Sequence, residues 1–299
     1  HQLIVGLSLI FLSIFLIQPK IIAPAITNLD KGPPIIPFLF VTIACGAISG
    51  FHGLVSSGTT SKQVDKMKDA RMIGYGATLG EGSLALAATI AAIAGLSFVN
   101  MQNDLCLPWA CDFNNAKAGA LNVFINGSSG LLQQIGLSKG LSTTLIVVLV
   151  VSFAATTLDS ATRIQRYIIT EFGSATKFKI FENKYLATLI SIIPAYFIAT
   201  NNDLRNELWQ TFGASNQMLA ALTLMVLSIY FWKKRKNIIP LIIPMIIIML
   251  ITISALIIRF NQSTTFLLKI INGVLILLII WMILEGVTYC FKKIKSNNE

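Results

Sequence analysis

Residues 37–63 read PFLFVTIACGAISGFHGLVSSGTTSKQ, and the way this stretch breaks decides the fold. It opens as an apolar run of membrane-span character. It then places Gly46, Gly50, Gly53 and Gly58 among Ser49, His52, Ser56, Ser57, Thr59, Thr60, Ser61 and Lys62. A glycine inside a helix costs about 1 kcal/mol relative to alanine, so four of them beside a polar cluster need a cause. In lipid, an unpaired backbone group persists only where protein or a water-filled cavity surrounds it. Interrupted helices of this kind mark substrate and ion sites in secondary transporters, because their broken ends present N–H and C=O groups to a ligand. A continuous helix using its glycines for close packing explains the glycines but not the hydroxyls and the histidine. The expectation is a helix broken after Cys45, with Ser49, Gly50, Phe51, His52, Gly53, Ser57, Thr59 and Thr60 as candidate substrate contacts.

The surrounding composition sets the class. The chain has 299 residues, 55% hydrophobic and 12% charged, with a mean hydropathy of +0.74. Soluble domains carry about 25% charged residues. An all-α polytopic membrane protein follows, a single helical membrane domain over residues 1–299. At about 20 residues per span, eight spans are expected: Leu3–Ile17, Ile35–Ser61, Met72–Val99, Leu141–Leu158 (continuing as helix to about Ile169), Tyr185–Ala199, Phe212–Trp232, Ile238–Ile258 and Phe266–Phe291. Ala116–Ile135 reads as short helical pieces rather than a span. These helices are apolar nearly all round, so periodicity does not separate their faces. The chain opens at His1 inside an apolar run, with no signal-peptide arrangement. It is therefore expected to be a fragment whose upstream helices act with it in cis or in trans.

The net charge of +10 is distributed by topology. Alternate loops divide the 23 Lys and Arg residues into a set of 16 and a set of 7. Short basic loops stay cytoplasmic, which puts the C-terminus in the cytoplasm and runs the broken helix from outside to inside. The basic residues are thereby accounted for by the bilayer, and nucleic acid drops out as a partner. Cys45 and Cys290 lie in apolar helices and are expected to pack as small hydrophobes. Cys106 and Cys111 share an outward loop and are open to oxidation there; no histidine lies near to complete a zinc site.

Three further stretches carry polar groups at membrane depth. Glu81 lies between Gly80 and Gly82 in the third span. A carboxylate there is costly and functional by default. It reads as a proton-coupling group or a negative charge beside a cation, or alternatively as a structural partner of Lys62 or His52. Ser152–Arg163, SFAATTLDSATR, places Ser152, Thr156, Asp159 or Ser160, and Arg163 on one helical face, with Thr157 beside it. Such oxygens suit a hard, small cation. A local Asp159–Arg163 pair with hydroxyls bonded back to the helix explains the charges equally well. In FGASNQ (Phe212–Gln217), Ser215, Asn216 and Gln217 read first as interhelical hydrogen-bonding groups and second as lining of a substrate path.

In order along the chain, GFHGLVSSGTTSKQ (Gly50–Gln63), the GYGA…EG run (Gly74–Gly82), SFAATTLDSATRIQRYI (Ser152–Ile168) and FGASNQMLAAL (Phe212–Leu222) resemble the carbon starvation protein A family of membrane transporters. The likeness covers residues 1–232, a family-like core. Residues 233–299, two C-terminal spans with a basic tail, match only as hydrophobic helices. The resemblance implies a LeuT-type inverted-repeat fold, with the eight spans similar to helices five to twelve. It implies that the broken stretch is the unwound helix of the second repeat, and that Ala116–Ile135 corresponds to external-loop helices. It implies bacterial inner-membrane import of peptides, or of pyruvate and related metabolites, in nutrient limitation. By the same likeness Thr156, Thr157 and Ser160 are candidate sodium ligands, and Glu81, Thr156, Thr157, Asp159 and Ser160 are candidates for ion coupling. Whether the coupling cation is sodium or a proton is left open, and no other cofactor is implied. The first broken helix of that fold has no counterpart here, so the chain alone is expected not to transport. Competing expectations are a non-transporting remnant or sensor subunit, and an intramembrane enzyme pairing His52 with Ser56 or Ser57, for which a nucleophile and base must lie within hydrogen-bond reach.

Overall fold

A computed structural model describes residues 2–25, 35–99, 113–263 and 265–298, with the backbone alone at 113–118, 202–207, 209–210 and 290–298. The described residues are helical and contain no strand. The helices are α1 (Gln2–Ile17), α2 (Phe40–Ala47), α3 (Gly50–Val55), the single turn α4 (Ser61–Gln63), α5 (Asp69–Ile93), α6 (Phe113–Gln134), α7 (Lys139–Thr176), α8 (Lys184–Thr200), α9 (Asn202–Lys233), α10 (Ile239–Gln262) and α11 (Phe266–Asn298). Six segments among the described residues are long and apolar enough to cross a membrane: Ile35–Gln63, Asp69–Ile93, Lys139–Thr176, Thr211–Lys233, Ile239–Gln262 and Phe266–Tyr289. The other two expected spans, α1 and α8, form apolar helices of 16 and 17 residues, short of that length. Large apolar side chains such as Leu79, Phe197, Leu277 and Trp281 stand exposed, as lipid-facing groups do. The chain is a multi-pass membrane protein.

By internal contacts the chain forms two units, residues 1–33 with 64–161, and residues 34–63 with 162–299. In the first, Ile10 of α1, Ala87 of α5, Leu132 of α6 and Ile146 of α7 form a buried core, flanked by Phe11 and Phe124. The third span stops short of its expected end. Ala94 leaves helical geometry at φ −129° and ψ −37°, and a tight turn follows over Gly95–Phe98. That turn rests on α6, and a Cβ on Gly95 would lie 2.5 Å from Gly127 O. A Cβ on Gly127 would in turn strike the Ala91 carbonyl. Backbone therefore meets backbone, and only glycine permits it. This contact corrects the expectation of short pieces at Ala116–Ile135. Gly127 and Gly130 lie inside one 22-residue helix, α6, as its packing surface.

In the second unit α9 is central, with α2, α3, α8, α10 and α11 all packed on it. Small residues allow this: Ala214, Ala220 and Ala221 of α9 are buried, as are Val41 and Ala44 of α2. Ile248, Ala255 and Leu256 of α10 and Leu268 and Ile279 of α11 are also buried. Cys106 and Cys111 fall outside the described residues, as does the side chain of Cys290.

A helix break held by two amides

The span that begins at Ile35 does break after Cys45. Helix α2 ends at Ala47; Ile48 has φ −129° and ψ 86°, and Ser49 is extended at φ −97° and ψ 121°. Helix α3 starts at Gly50. A helix end leaves its terminal N–H and C=O groups without intrahelical partners, and in an apolar setting each needs one. Two adjacent amides of α9 supply them. Asn216 Oδ1 accepts from the Phe51 N–H at 2.8 Å and from the Ser49 hydroxyl at 3.3 Å. Its Nδ2 donates to Cys45 Sγ at 3.1 Å and to Cys45 O at 3.5 Å. Gln217 Nε2 donates to Ile48 O at 3.4 Å. Ser49 is the residue that would ordinarily cap α3, but its side chain caps nothing and donates to Asn216 instead. One side chain from a distant helix thus caps α3 and takes up a carbonyl at the end of α2.

The glycines play a different part from the one expected. The gap opens at Ile48 and Ser49, between Gly46 and Gly50. A Cβ on Gly50 would collide with Asn216 O, Leu219 Cβ and Ala220 N, while one on Gly53 would lie 2.6 Å from Thr223 Oγ1. Gly50 and Gly53 therefore let α3 lie against the Asn216–Thr223 surface of α9. Gly46 and Gly58 have no neighbour where a Cβ would sit. Asn216 and Gln217 are 2% and 0% exposed, so both are committed to the interior of this unit. Gln217 Oε1, however, is a buried acceptor with no hydrogen-bond partner.

Beyond the break, His52 is exposed, its ring edge-on to Phe51 at 6.1 Å. Ser56–Thr60 forms a wider helical turn in which the Ser61 N–H reaches back to Ser56 O. Wider turns of this kind frequently occur at functional sites. The local hydroxyls fold onto the helix. Ser56 and Ser57 donate to Gly53 O at 3.0 and 2.9 Å, and Thr59 donates to Val55 O at 2.9 Å. Thr60 is half-buried beside them. The Ser56 and Ser57 protons thus go to a helix carbonyl and not to His52, where an intramembrane nucleophile would send one.

The ion-coupling candidates belong to the first unit. Glu81 is exposed on α5, and the glycines on both sides of it have open space where a Cβ would sit. Thr156 and Thr157 are exposed on α7 and donate to Phe153 O at 2.9 and 3.1 Å. Giving the proton back to the helix leaves each hydroxyl oxygen able to accept. Ser160 is half-buried; Asp159 is exposed and already has a partner. Ser152 is tied elsewhere, 2.6 Å from Gln2 Oε1 of α1. Among the described residues no three His, Cys, Asp or Glu side chains cluster as metal ligands. One polar contact has no sequence signal: Arg259, late in α10, places its guanidinium 4.6 Å from the ring centroid of Phe38 at the start of the broken span.

An all-helical multi-pass protein with a broken span, its break closed by side chains of a second helix, defines a class of membrane protein. The particular family follows from comparison. The family model "Carbon starvation protein CstA" matches residues 1–107 and 110–255, and the chain belongs to that family. The match runs past Trp232 into α10. The chain is 26% identical over 272 residues to "Peptide transporter CstA" of Bacillus subtilis, covering 79% of this chain and 45% of that protein. It is 28% identical over 278 residues to the Helicobacter pylori protein of the same name, covering 76% and 40%. It is 48% identical over 95 residues to "Pyruvate/proton symporter BtsT" of Escherichia coli, covering 30% and 13%. The chain spans less than half the length of these relatives. No solved structure matches it.

Proposed function

We propose that this chain forms part of a secondary transporter that imports small peptides, with pyruvate or related metabolites as the second substrate class, when carbon is limiting. The observation that carries this reading is the break at Ile48–Ser49. A helix in a membrane span has been interrupted, and an Asn–Gln pair is spent on capping its broken ends. The remaining part of the pathway comes from the portion of the relatives' length that the chain does not cover. The names of the relatives support the two substrate classes.

In this proposal the span is divided so that its halves rock separately during alternating access within an inverted-repeat, LeuT-type arrangement. The eight apolar helices all span an inner membrane, with the C-terminus cytoplasmic. Ser49 to Gly53, Ser57, Thr59 and Thr60 face the passenger, Gln217 Oε1 accepts from it, and Asn216 sets the shape of the gap. Glu81 carries the coupling charge. Thr156, Thr157, Asp159 and Ser160 offer oxygens to the cation, as sodium ligands in the case of the three hydroxyls. The reading is supported by the exposure of Thr156 and Thr157, whose hydroxyl protons are used within α7, and by the open surroundings of Glu81.

The test is uptake of a labelled tripeptide and of labelled pyruvate by proteoliposomes holding the full polypeptide that contains these residues, under imposed proton or sodium gradients. Gradient-driven accumulation that Glu81→Gln abolishes fits the proposal. Downhill equilibration alone, or accumulation unchanged in Glu81→Gln, removes the coupling role.

A further inference from the structure

A cavity in the second unit is independent of the transport reading. Helices α9, α10 and α11 enclose a partly open space of about 350 Å3, walled by Met225, Met245, Met249 and Met282 with Trp232 and Gly286. Ser228 and Trp232 are the wall side chains with polar atoms; the Ser228 hydroxyl is used within α9, donating to Leu224 O at 2.7 Å, and Trp232 has a partner of its own. The rest of the lining is apolar, and apolar cavities of this kind stay dry. Interiors do not leave such volumes empty without cost. Unbranched, polarizable methionines adapt to an irregular apolar guest. The volume lies within the range of small-ligand sites, about 300–1,000 Å3.

One end of this cavity is cationic. Trp232 and Ile238 both belong to the wall, and the chain between them reads Lys233, Lys234, Arg235, Lys236, Asn237. All four cations are exposed. Lys233 Nζ stands 5.6 Å from the Tyr289 ring of α11, which follows Val287 of the wall by two residues. Lys234 and Lys236 sit 6.0 and 5.8 Å from the Tyr230 and Phe231 rings. Aromatic faces hold ammonium groups in this way. No carboxylate lines the cavity; Glu285, next to Gly286, is exposed and outside the wall.

We propose that the cavity holds an acyl chain of one anionic phospholipid, whose phosphate is gripped by the Lys233–Lys236 loop. A dry apolar slot that ends in four cations complements a lipid with a negative headgroup, and such basic sites between membrane helices recognise them. A free anion would leave the slot empty, and a second copy of the chain would bring the same cations against themselves.

The test uses the full chain in nanodiscs of neutral lipid, with Trp109→Phe, Trp209→Phe and Trp281→Phe leaving Trp232 as the fluorophore. Phosphatidylglycerol with brominated acyl chains is titrated in, and brominated phosphatidylcholine is the control. Saturable quenching by phosphatidylglycerol is expected, with half-saturation at a mole fraction at least tenfold below that of phosphatidylcholine. Each basic residue near an anionic headgroup strengthens binding about fivefold. Lys233→Ala with Arg235→Ala should therefore raise the half-point more than tenfold and leave the phosphatidylcholine curve unchanged. Gly286→Leu should remove the saturable phase. Equal quenching by the two lipids overturns the proposal in favour of ordinary bilayer contact. Displacement by glycerol phosphate overturns it in favour of a free-anion site. Concentration-dependent dimerisation without lipid discrimination overturns it in favour of a protein interface. The two-lipid comparison on the chain that keeps Trp232 alone decides the matter even if the Lys233, Arg235 and Gly286 variants misfold.

Discussion

Replacing Asn216 by alanine should be the most damaging single truncation at the break, and its cost follows from the partners it abandons. The Phe51 N–H, bonded at 2.8 Å, lies in the first turn of α3 and has no helical carbonyl to turn to. Leaving a buried donor unsatisfied costs about 1–3 kcal/mol. The contacts to the Ser49 hydroxyl at 3.3 Å and to Cys45 O at 3.5 Å are long, and interhelical bonds in membranes are worth about 0.6–2 kcal/mol at most. Together the loss comes to about 2–4 kcal/mol. If that energy opens the junction, Cys45 becomes roughly 30- to 700-fold more accessible, at 1.4 kcal/mol per tenfold. The assay is maleimide labelling of Cys45 in bilayers, with Cys106, Cys111 and Cys290 changed to serine, alongside unfolding in mixed micelles. Asn216→Asp keeps the Oδ1 acceptor but sets an unpaired carboxylate oxygen against Cys45 Sγ and Cys45 O at a site only 2% exposed, so it should cost at least as much as alanine. Stability within about 0.5 kcal/mol of wild type, with unchanged Cys45 labelling, would refute the reasoning.

Other substitutions separate packing from capping. Gly50→Ala meets the α9 backbone and should cost about 1–3 kcal/mol, read by thermal unfolding in detergent. Gly53→Ala meets the Thr223 side chain, which can turn, and should cost less. Gly127→Ala strikes the Ala91 carbonyl and should destabilise the first unit by a similar 1–3 kcal/mol or so, seen as lost hydrogen-exchange protection in α6. Gln217→Leu removes a 3.4 Å bond together with an unpaired buried acceptor. Stability should therefore change by less than about 1 kcal/mol, while uptake falls if Oε1 serves the passenger.

The class of protein was legible because composition and loop charge speak for whole segments. The broken span was legible because hydroxyls and a histidine have no business in a lipid-facing run. The details of the break were not. Sequence pointed to the glycines, yet Gly50 and Gly53 serve close packing and the chain opens at Ile48–Ser49, since the capping groups lie 165 residues away on α9. FGASNQ declared interhelical hydrogen bonding in general terms, but pairing with Phe51 and Cys45 has no local signal. The continuity of α6 was hidden for the same reason. Its glycines look like breakers until the facing backbone of α5 is known. Span ends also shifted, as at Ala94, because helices apolar on every side carry no periodic signal.

The break itself is open to direct measurement by solid-state NMR on protein in lipid bilayers, carbon-13 labelled at alanine, isoleucine, serine and phenylalanine. Carbon shifts report backbone conformation residue by residue. Extended shifts are expected at Ile48 and Ser49, between helical shifts at Ala47 and Phe51. Helical shifts running unbroken from Ala44 to Phe51 would contradict the break.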